Sequence, residues 1–92
     1  MKIEYAPQVI NFLRSLAPEP RRAIVRAIKN LPRFGDTKAL ESELEGFWRL
    51  RVKGYRVVFR YVGGNVIRCE FAETRSVVYE LFAAELKKLS GF

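Results

Sequence analysis

The residues of this chain best suited to chemistry are arginines, and they gather in one segment. Among the apolar residues at positions 46–72 there are six basic side chains, and all but one of the six are arginines. The planar guanidinium of arginine matches two oxygens of a phosphate, whereas the ammonium of lysine is a point charge. We therefore expect this segment to bind a nucleic acid, RNA in particular, through its basic residues, which are Arg49, Arg51, Lys53, Arg56, Arg60 and Arg68.

The charge of the whole chain supports an anionic partner. Seventeen Lys and Arg against ten Asp and Glu give a formal net charge of +7 at pH 7. So basic a chain of 92 residues favours a nucleic acid, an acidic protein or an anionic membrane surface as its partner. The membrane is the weakest of the three, because no predicted helix combines a basic face with exposed bulky aromatic residues.

Several kinds of enzyme site are excluded by what the sequence lacks. The chain has no histidine, which removes Ser-His-Asp triads, histidine bases and histidine metal ligands, and we expect no metal and no other cofactor. Cys69 is the only cysteine and cannot form an internal disulfide, so we expect it to pack in the core of a protein from a reducing compartment. Without a signal peptide or an apolar run near the ~20 residues of a membrane span, we expect a cytoplasmic protein.

Two turns determine which side chains share a face of the predicted sheet. A two-residue turn at Lys53-Gly54, with Gly54 at the position that needs positive φ, places Arg51 opposite Arg56. A three-residue loop over Gly63, Gly64 and Asn65 then keeps apolar side chains together in the third strand. The predicted apolar face consists of Trp48, Leu50, Val52, Tyr55, Val57, Phe59, Tyr61, Ile67, Cys69 and Phe71. The predicted basic face consists of Arg49, Arg51, Arg56, Val58, Arg60, Arg68 and Glu70.

The basic face has two interpretations. It could be a solvated outer face, on which arginine is common. Arg51 and Arg56 would then repel each other, and like charges in directly opposite positions destabilise a sheet by up to about 1 kcal/mol. A bound anion would relieve that repulsion, and several arginines converge from neighbouring strands. We therefore favour the anion site.

Further elements are expected on both sides of the sheet. They are a strand over Lys2–Tyr5, a helix opening at Ala6-Pro7, a second helix over residues 19–31, a last strand over residues 73–79 and a C-terminal helix after it. The acidic segment at residues 37–45 is expected to be a loop with a helical turn. The order β-α-α-β-β-β-β-α makes residues 1–92 one α+β domain. An N-terminal helical hairpin and a C-terminal helix would cover one face of a small antiparallel sheet, mixed at one edge.

Three segments carry a family resemblance: LEGFWRLR at 44–51, GYRVVF at 54–59 and RSVVY at 75–79. With the helical hairpin before them and the helix after them, they make nearly the whole chain resemble the RelE/ParE superfamily of bacterial toxin–antitoxin toxins. RelE-like members cleave mRNA in the ribosomal A site without a metal, which stops translation, whereas ParE-like members inhibit DNA gyrase. A third alternative is a weak or inactive relative that only binds its antitoxin as a co-repressor.

The resemblance also implies partners and site residues. The partners are a cognate acidic antitoxin, mRNA on the ribosome, and promoter DNA through the antitoxin complex only. Arg56 matches the strand arginine that contacts the scissile phosphate, and Arg49 and Arg51 match basic residues used for RNA binding, proton transfer or charge stabilisation. Tyr79 matches a tyrosine near the reacting ribose, and Arg75 matches the arginine of a common His-Arg-x-x-Val-Tyr pattern. The implied catalytic set is Arg51, Arg56, Arg75 and Tyr79.

Two positions depart from the family pattern. Thr74 stands where that pattern has its histidine, so members that use a histidine as acid or base are not direct models. Glu73 stands where the RelE toxin has another functional arginine. Tyr79 also has an alternative interpretation, as a buried aromatic residue at the start of the last helix.

Overall fold

The computed structural model describes residues 1–31, 36–74 and 77–89, and at positions 77 and 89 it describes the backbone alone. The described elements are β1 (Lys2–Tyr5), α1 (Pro7–Ser15), α2 (Pro18–Lys29), β2 (Asp36–Ala39), a 3₁₀ turn (Ser42–Leu44), β3 (Trp48–Val52), β4 (Tyr55–Tyr61), β5 (Val66–Thr74) and α3 (Val77–Leu89). Both α1 and α2 begin with proline, whose fixed φ and missing N–H suit the first turn of a helix. None of the described helices is long and apolar enough to cross a lipid bilayer.

The five strands form one sheet in the order β1-β5-β4-β3-β2. The neighbours β2, β3, β4 and β5 pair antiparallel, and β1 pairs parallel with β5 at one edge. The predicted α+β class with an antiparallel sheet, mixed at one edge, is therefore confirmed.

The two turns have the predicted lengths. Arg51 lies opposite Arg56 across the Lys53-Gly54 turn, and Tyr61 lies opposite Ile67 across the second loop. All three residues of that loop have positive φ, which glycine and asparagine tolerate best. The prediction for the first turn is wrong in one detail: Lys53 has the positive φ, +55°, and Gly54 does not. A two-residue hairpin turn can place its left-handed residue first, and the length of the turn alone does not decide between the two positions.

A β-bulge in β5 changes the second half of the predicted register. Phe59 lies opposite Cys69 and Val58 lies opposite Phe71, so Glu70 is one residue more than β4 can match. An extra residue reverses the faces of all side chains that follow it. The expectation that Phe71 shares a face with Ile67 and Cys69 is therefore wrong, because Phe71 lies on the opposite face.

Both faces of the sheet are covered by helices, contrary to the prediction that one face would be. On the first face, α1 and α2 pack on the sheet through a core that includes Val9, Leu13, Ile24, Ile28, Leu50, Val57, Phe59, Ile67, Cys69 and Ala72. On the second face, α3 packs through a smaller core made of Leu44, Val58, Phe71, Val78 and Phe82. The bulge explains this difference, since it puts Phe71 beside Val58 and gives the second face an apolar centre that needs cover.

Within the described residues there are five strands, as many as predicted, but one predicted strand is absent and one observed strand was not predicted. The strand expected at residues 73–79 is wrong: β5 continues to Thr74, and α3 includes Tyr79. Packing outweighs the strand propensity of this Val-Val-Tyr segment, since Val78 and Phe82, one helical turn apart, are both buried against the sheet. The expectation of a loop over residues 37–45 missed β2, whose four residues are all exposed and show no alternation.

The buried thiol of Cys69 makes stability sensitive to alkaline pH. Burial, with a smaller contribution from the charge of Glu70, raises its pKa from 9.0 to about 12. Between these values the unfolded chain loses the thiol proton while the folded chain keeps it, so unfolding becomes easier as pH rises. This group should lower the free energy of unfolding by up to ~1.4 kcal/mol per pH unit above pH 9.

Urea titrations of wild type and Cys69→Ala at pH 8 to 11 measure this effect. The variant should lose less stability than wild type over that range, whatever its stability at pH 8. Part of the alkaline sensitivity remains in both proteins, because burial also raises the pKa of Tyr5. Equal losses in the two proteins would show that the Cys69 thiol does not titrate in this way.

Candidate functional site

The second face of the sheet is divided by α3. Its apolar residues cover the middle of the face, at Val58 and Phe71. Arg51 and Arg56 lie on one side of this covered strip, and Arg60 and Arg68 line a different cavity on the other side. The basic face predicted as one surface is thus two separate sites.

The first of these sites is a pocket of about 480 Å³. Its lining residues come from β2 and the chain after it, from the β3–β4 hairpin and from α3: Lys38, Ala39, Leu40, Glu41, Arg49, Arg51, Arg56 and Tyr79. We call it the arginine pocket, after Arg49, Arg51 and Arg56. Four of the residues singled out from the sequence lie together in it.

Local structure explains how these four side chains meet. The Lys53-Gly54 turn puts Arg51 directly opposite Arg56, and strand alternation returns Arg49 to the same face two residues earlier. Tyr79 reaches the pocket from the first turn of α3, which the packing of Val78 fixes against the sheet. The ring of Tyr79 also packs beside the second core, so the residue both lines the pocket and contributes to packing.

Asp36 neutralises part of the arginine pocket. It lies opposite Arg51 in the pairing of β2 with β3 and forms ion pairs with two arginines. Its Oδ1 atom is 3.6 Å from Nη2 of Arg49, and its Oδ2 atom is in closer contact with Nη2 of Arg51. A carboxylate therefore stands where an anionic ligand would bind these two guanidinium groups.

Arg56, unlike Arg49 and Arg51, forms no ion pair with a described residue. Its Nη1 group donates hydrogen bonds to the backbone carbonyls of Lys53 (3.2 Å) and Tyr55 (3.1 Å). Across residues 1–31, 36–74 and 77–89, no carboxylate forms an ion pair with it. Glu73 is opposite in the register, but its Oε1 accepts a hydrogen bond from the backbone N–H of Thr74 (3.1 Å). Backbone carbonyls thus orient Arg56 without neutralising it.

Arg60 and Arg68 are paired with carboxylates. Glu70, the extra residue of the bulge, accepts from Nε of Arg60 at 2.5 Å and from Nε of Arg68 at 3.2 Å. Arg68 also lies 3.6 Å from Glu4 of β1. These two residues were grouped with the other arginines from the sequence, but the structure places them in a separate cavity, beside Gln8 and Phe82.

The other predicted residues lie elsewhere. Lys53 is at the tip of the β3–β4 turn, where its carbonyl helps to orient Arg56, and its side chain does not line the pocket. Arg75 lies outside the described residues. In the part of the chain that the structure describes, no three or more Cys, Asp and Glu side chains are placed to hold a metal ion.

Sequence reasoning missed the wall that β2 adds to the pocket. Lys38 lies opposite Arg49 and adds a fourth cation, while Asp36 and Glu41 bring carboxylates to the site. No signal in the sequence places these residues, because β2 is exposed throughout and lacks the alternation of a half-buried strand. The arrangement as a whole can bind phosphate oxygens through guanidinium groups, with a tyrosine hydroxyl at its edge.

Neither a protein-family model nor a curated protein matches the chain. Solved structures do match. A chain of the RelB–RelE antitoxin–toxin complex from Methanococcus jannaschii superposes with a TM-score of 0.68 at 21% identity, over 86% of this chain and 98% of that one. A chain of the RelBE2 toxin–antitoxin complex from Mycobacterium tuberculosis gives 0.65 at 21% identity, over 80% and 96%. A chain of the YoeB–YefM complex from Staphylococcus aureus gives 0.65 at 20% identity, over 82% and 97%.

These likenesses cover almost all of each matched chain. At such identities they show the fold alone, and the fold implied by the sequence resemblance is confirmed.

Proposed function

We propose that this chain, which has the RelE-like toxin fold, is the toxin of a type II toxin–antitoxin pair and cleaves mRNA in the ribosomal A site. The arginine pocket carries the proposal, because it joins three arginines from two strands to Tyr79 of α3. A site of this kind can hold an RNA phosphate and the adjoining ribose without a metal ion. The proposal places the protein in the cytoplasm, where translation takes place.

The three arginines of the pocket bind the RNA and stabilise charge in this chemistry. Arg56, oriented by backbone carbonyls and paired with no described carboxylate, stabilises the negative charge that develops on the scissile phosphate. Arg49 and Arg51 hold the RNA backbone once its phosphates replace the carboxylate of Asp36. Arg75, which the family resemblance adds to the catalytic set, follows β5 directly in the chain.

The proton transfers of RNA cleavage need a group other than arginine. Cleavage through the 2′-oxygen requires a proton to leave the 2′-hydroxyl and another to reach the departing 5′-oxygen. Arginine is a poor acid and a poor base because its pKa is above 12. Among Arg49, Arg51, Arg56 and Tyr79, the hydroxyl of Tyr79 is the group suited to take or give one of these protons at the ribose. Positioning of the mRNA by the ribosome supplies the geometry that the small pocket lacks.

The proposal includes an acidic antitoxin as partner. The net charge of +7 favours rapid association with an acidic, partly disordered segment, which can wrap a large surface. Chains of a RelB–RelE complex and a YoeB–YefM complex are among the structural matches. Promoter DNA would be bound through the antitoxin complex.

Induced expression followed by primer extension on reporter transcripts tests the proposed activity. We expect growth arrest and new 5′ ends in phase with codons. Loss of DNA supercoiling without mRNA cleavage would instead show ParE-like inhibition of gyrase, the alternative that the absence of histidine and the presence of Glu73 leave open. Harmless expression of the wild type would indicate a protein that only binds its antitoxin.

Asp36 should compete with RNA phosphates for Arg49 and Arg51. Asp36→Asn removes the carboxylate that pairs with Arg49 and Arg51, so affinity for a short single-stranded RNA should rise about two- to fivefold, the size of one exposed ion pair. The plot of log affinity against log salt concentration should steepen by ~0.7 for each phosphate gained. Fluorescence anisotropy at several salt concentrations measures both quantities.

Glu41→Gln is the matched control for Asp36→Asn. Glu41 lines the same pocket but forms no ion pair with a described residue, and its substitution changes the net charge equally. Equal gains in the two variants would show that Asp36 acts only through general charge.

A further inference from the structure

The cavity that contains Arg60 and Arg68 has no part in the proposed cleavage. Its volume is about 620 Å³, within the roughly 300–1,000 Å³ that is usual for small-molecule sites. It lies on the second face of the sheet, between the start of α1 and the middle of α3. We call it the α3 cavity. Sites for small ligands typically combine an apolar lining with a few polar groups that fix orientation, and the α3 cavity has both.

The apolar part of the α3 cavity is a cluster of aromatic rings. The ring of Phe82 contacts two others, with centroid distances of 5.0 Å to Phe47 and 5.6 Å to Phe71. Leu86, one turn further along α3, extends this lining. Aromatic rings favour further aromatic groups in edge or offset contact. The cavity therefore suits a ligand with an apolar or aromatic body.

The polar part of the α3 cavity is an ion-pair network centred on Glu70. The side chain of Glu70 is only 16% exposed, and it accepts hydrogen bonds from Nε of Arg60 and from Nε of Arg68. These bonds fix both guanidinium groups through one edge. The side chain of Arg60 is 41% exposed, so the terminal nitrogens of its guanidinium can bind a carboxylate in the cavity.

The charges of the α3 cavity balance. Its lining has two arginines, Arg60 and Arg68, and two glutamates, Glu70 and Glu85. Glu85 is at the exposed rim, where its ion pair with Lys88 spans 3.9 Å. A ligand with one charge would leave an excess of one sign beside the apolar rings, whereas a ligand with both charges keeps the balance.

The wall that α1 contributes is held in place by Gln8. Its Nε2 group donates a hydrogen bond to the carbonyl of Ala72 (2.7 Å), and its Oε1 atom accepts one from the backbone N–H of Ala72 (2.8 Å). Ala72 follows Phe71 directly, so the same contact fixes the strand that carries this ring. Binding to a site that is already ordered costs less entropy than binding to one that must be ordered.

We propose that the α3 cavity binds a small zwitterion with an apolar body, of the chemical class of free amino acids with a large apolar or aromatic side chain. The carboxylate binds the terminal nitrogens of Arg60, and the ammonium group pairs with Glu85. The side chain packs against the rings of Phe47, Phe71 and Phe82. The site is separate from the arginine pocket and takes a different ligand.

Titration of the isotope-labelled full chain with phenylalanine, followed by NMR, tests the proposal without any substitution. Chemical-shift changes should concentrate at residues 68–71 and 82–86. N-acetyl-phenylalanine lacks the ammonium group and phenylalanine amide lacks the carboxylate, so each should bind about threefold more weakly, the size of one exposed ion pair. Alanine lacks the ring and should bind at least tenfold more weakly.

Three results of this titration would overturn the proposal. Equal affinity for N-acetyl-phenylalanine amide, which has the ring and neither charge, would show that any apolar side chain fills the cavity, including one from a protein partner. Tighter binding of N-acetyl-phenylalanine would show attraction of anions by the basic chain. Shifts at the same residues on dilution of the free protein would show that a second copy covers the cavity.

Two variants assign the charges of the ligand. Arg60→Gln and Glu85→Gln alter exposed side chains, and each should weaken binding of phenylalanine about threefold. Arg60→Gln should change binding of phenylalanine amide by less than twofold, because that ligand has no carboxylate. The matched controls, Arg14→Gln and Glu80→Gln, are at exposed positions outside the cavity and should keep the wild-type affinity. Equal losses in variants and controls would overturn the proposal.

Hydrogen exchange provides a second measurement. A ligand in contact with Phe82 stabilises α3 against local opening, so saturating phenylalanine should slow exchange of the α3 amides. Unchanged exchange in α3 would place the ligand elsewhere and overturn the proposal. All these measurements are made without RNA or ribosomes. Failure of the α3 cavity to bind its ligand and failure of mRNA cleavage are therefore separate results.

Discussion

Replacing Arg56 with Ala is expected to slow ribosome-dependent mRNA cleavage by about 10²–10³-fold, as loss of one charge-stabilising donor does in other active sites. Arg56 has no described carboxylate partner, and two backbone carbonyls hold its guanidinium in place. The neighbouring Arg49 and Arg51 are paired with Asp36, so they should replace its charge only in part. Single-turnover cleavage of 5′-labelled mRNA on programmed ribosomes, at saturating protein, measures the effect on the chemical step.

Two further variants separate charge, geometry and location. Arg56→Lys keeps the charge but not the fork of donors, so it should recover only part of the rate. Arg60→Ala removes an arginine from the same strand and face, but one that is paired with Glu70 in another cavity. It should slow cleavage by less than threefold. A loss as large as that of Arg56→Ala would show that the whole face, and not the arginine pocket, binds the substrate.

Replacing Tyr79 with Phe is expected to slow cleavage by about 10²-fold, the lower range for general acid–base catalysis. The variant keeps the ring that packs beside the second core and removes only the hydroxyl at the pocket. Stability and affinity for single-stranded RNA should therefore stay near those of the wild type. The loss should appear in the single-turnover rate at saturation.

Tyr61→Phe is the matched control for the loss of a tyrosine hydroxyl. Tyr61 is half exposed and packs against Trp48 and Phe59, outside the arginine pocket. Its substitution should leave the cleavage rate unchanged. A full rate in Tyr79→Phe would show that Tyr79 serves only in packing and that another group, such as Lys38 or Glu41 of the same pocket, moves the protons.

The hairpin that carries Arg51 and Arg56 could be predicted because its signals are local. Lys53-Gly54 and Gly63-Gly64-Asn65 are turn sequences, and the alternation around them fixes the faces. The predicted grouping of Arg49, Arg51 and Arg56 follows from these signals alone. The prediction that these arginines share a site with Tyr79 depended on the family resemblance, since no local pattern in the sequence relates α3 to the hairpin.

The bulge at Glu70 could not be predicted, because both registers of β5 bury an apolar residue. Without the bulge Phe71 would join the first core, and with it Ala72 does so while Phe71 joins the second. The choice depends on whether a helix is available to cover the second face. That is a property of tertiary packing, which strand propensity does not report.

The strand β2 was missed for a different physical reason. It buries no side chain and is held by backbone pairing with β3 and by the ion pairs of Asp36. Strands at the edge of a sheet are often short, polar and charged, which limits unwanted pairing with other chains and also removes the alternation that identifies a strand. The division of the arginines into a pocket and a paired cluster follows from β2, from the bulge and from α3, so it could be seen only in the structure.

The most direct test of the proposed activity is a cleavage assay with purified components. An mRNA with a defined codon in the A site of purified ribosomes is incubated with wild-type protein or with Arg56→Ala, and the 5′ ends are mapped. The account predicts cuts within the A-site codon by the wild type, no cuts in the same mRNA free in solution, and cuts at least 100-fold slower with the variant. Intact mRNA on the ribosome, together with inhibition of purified gyrase by the same preparation, would contradict it.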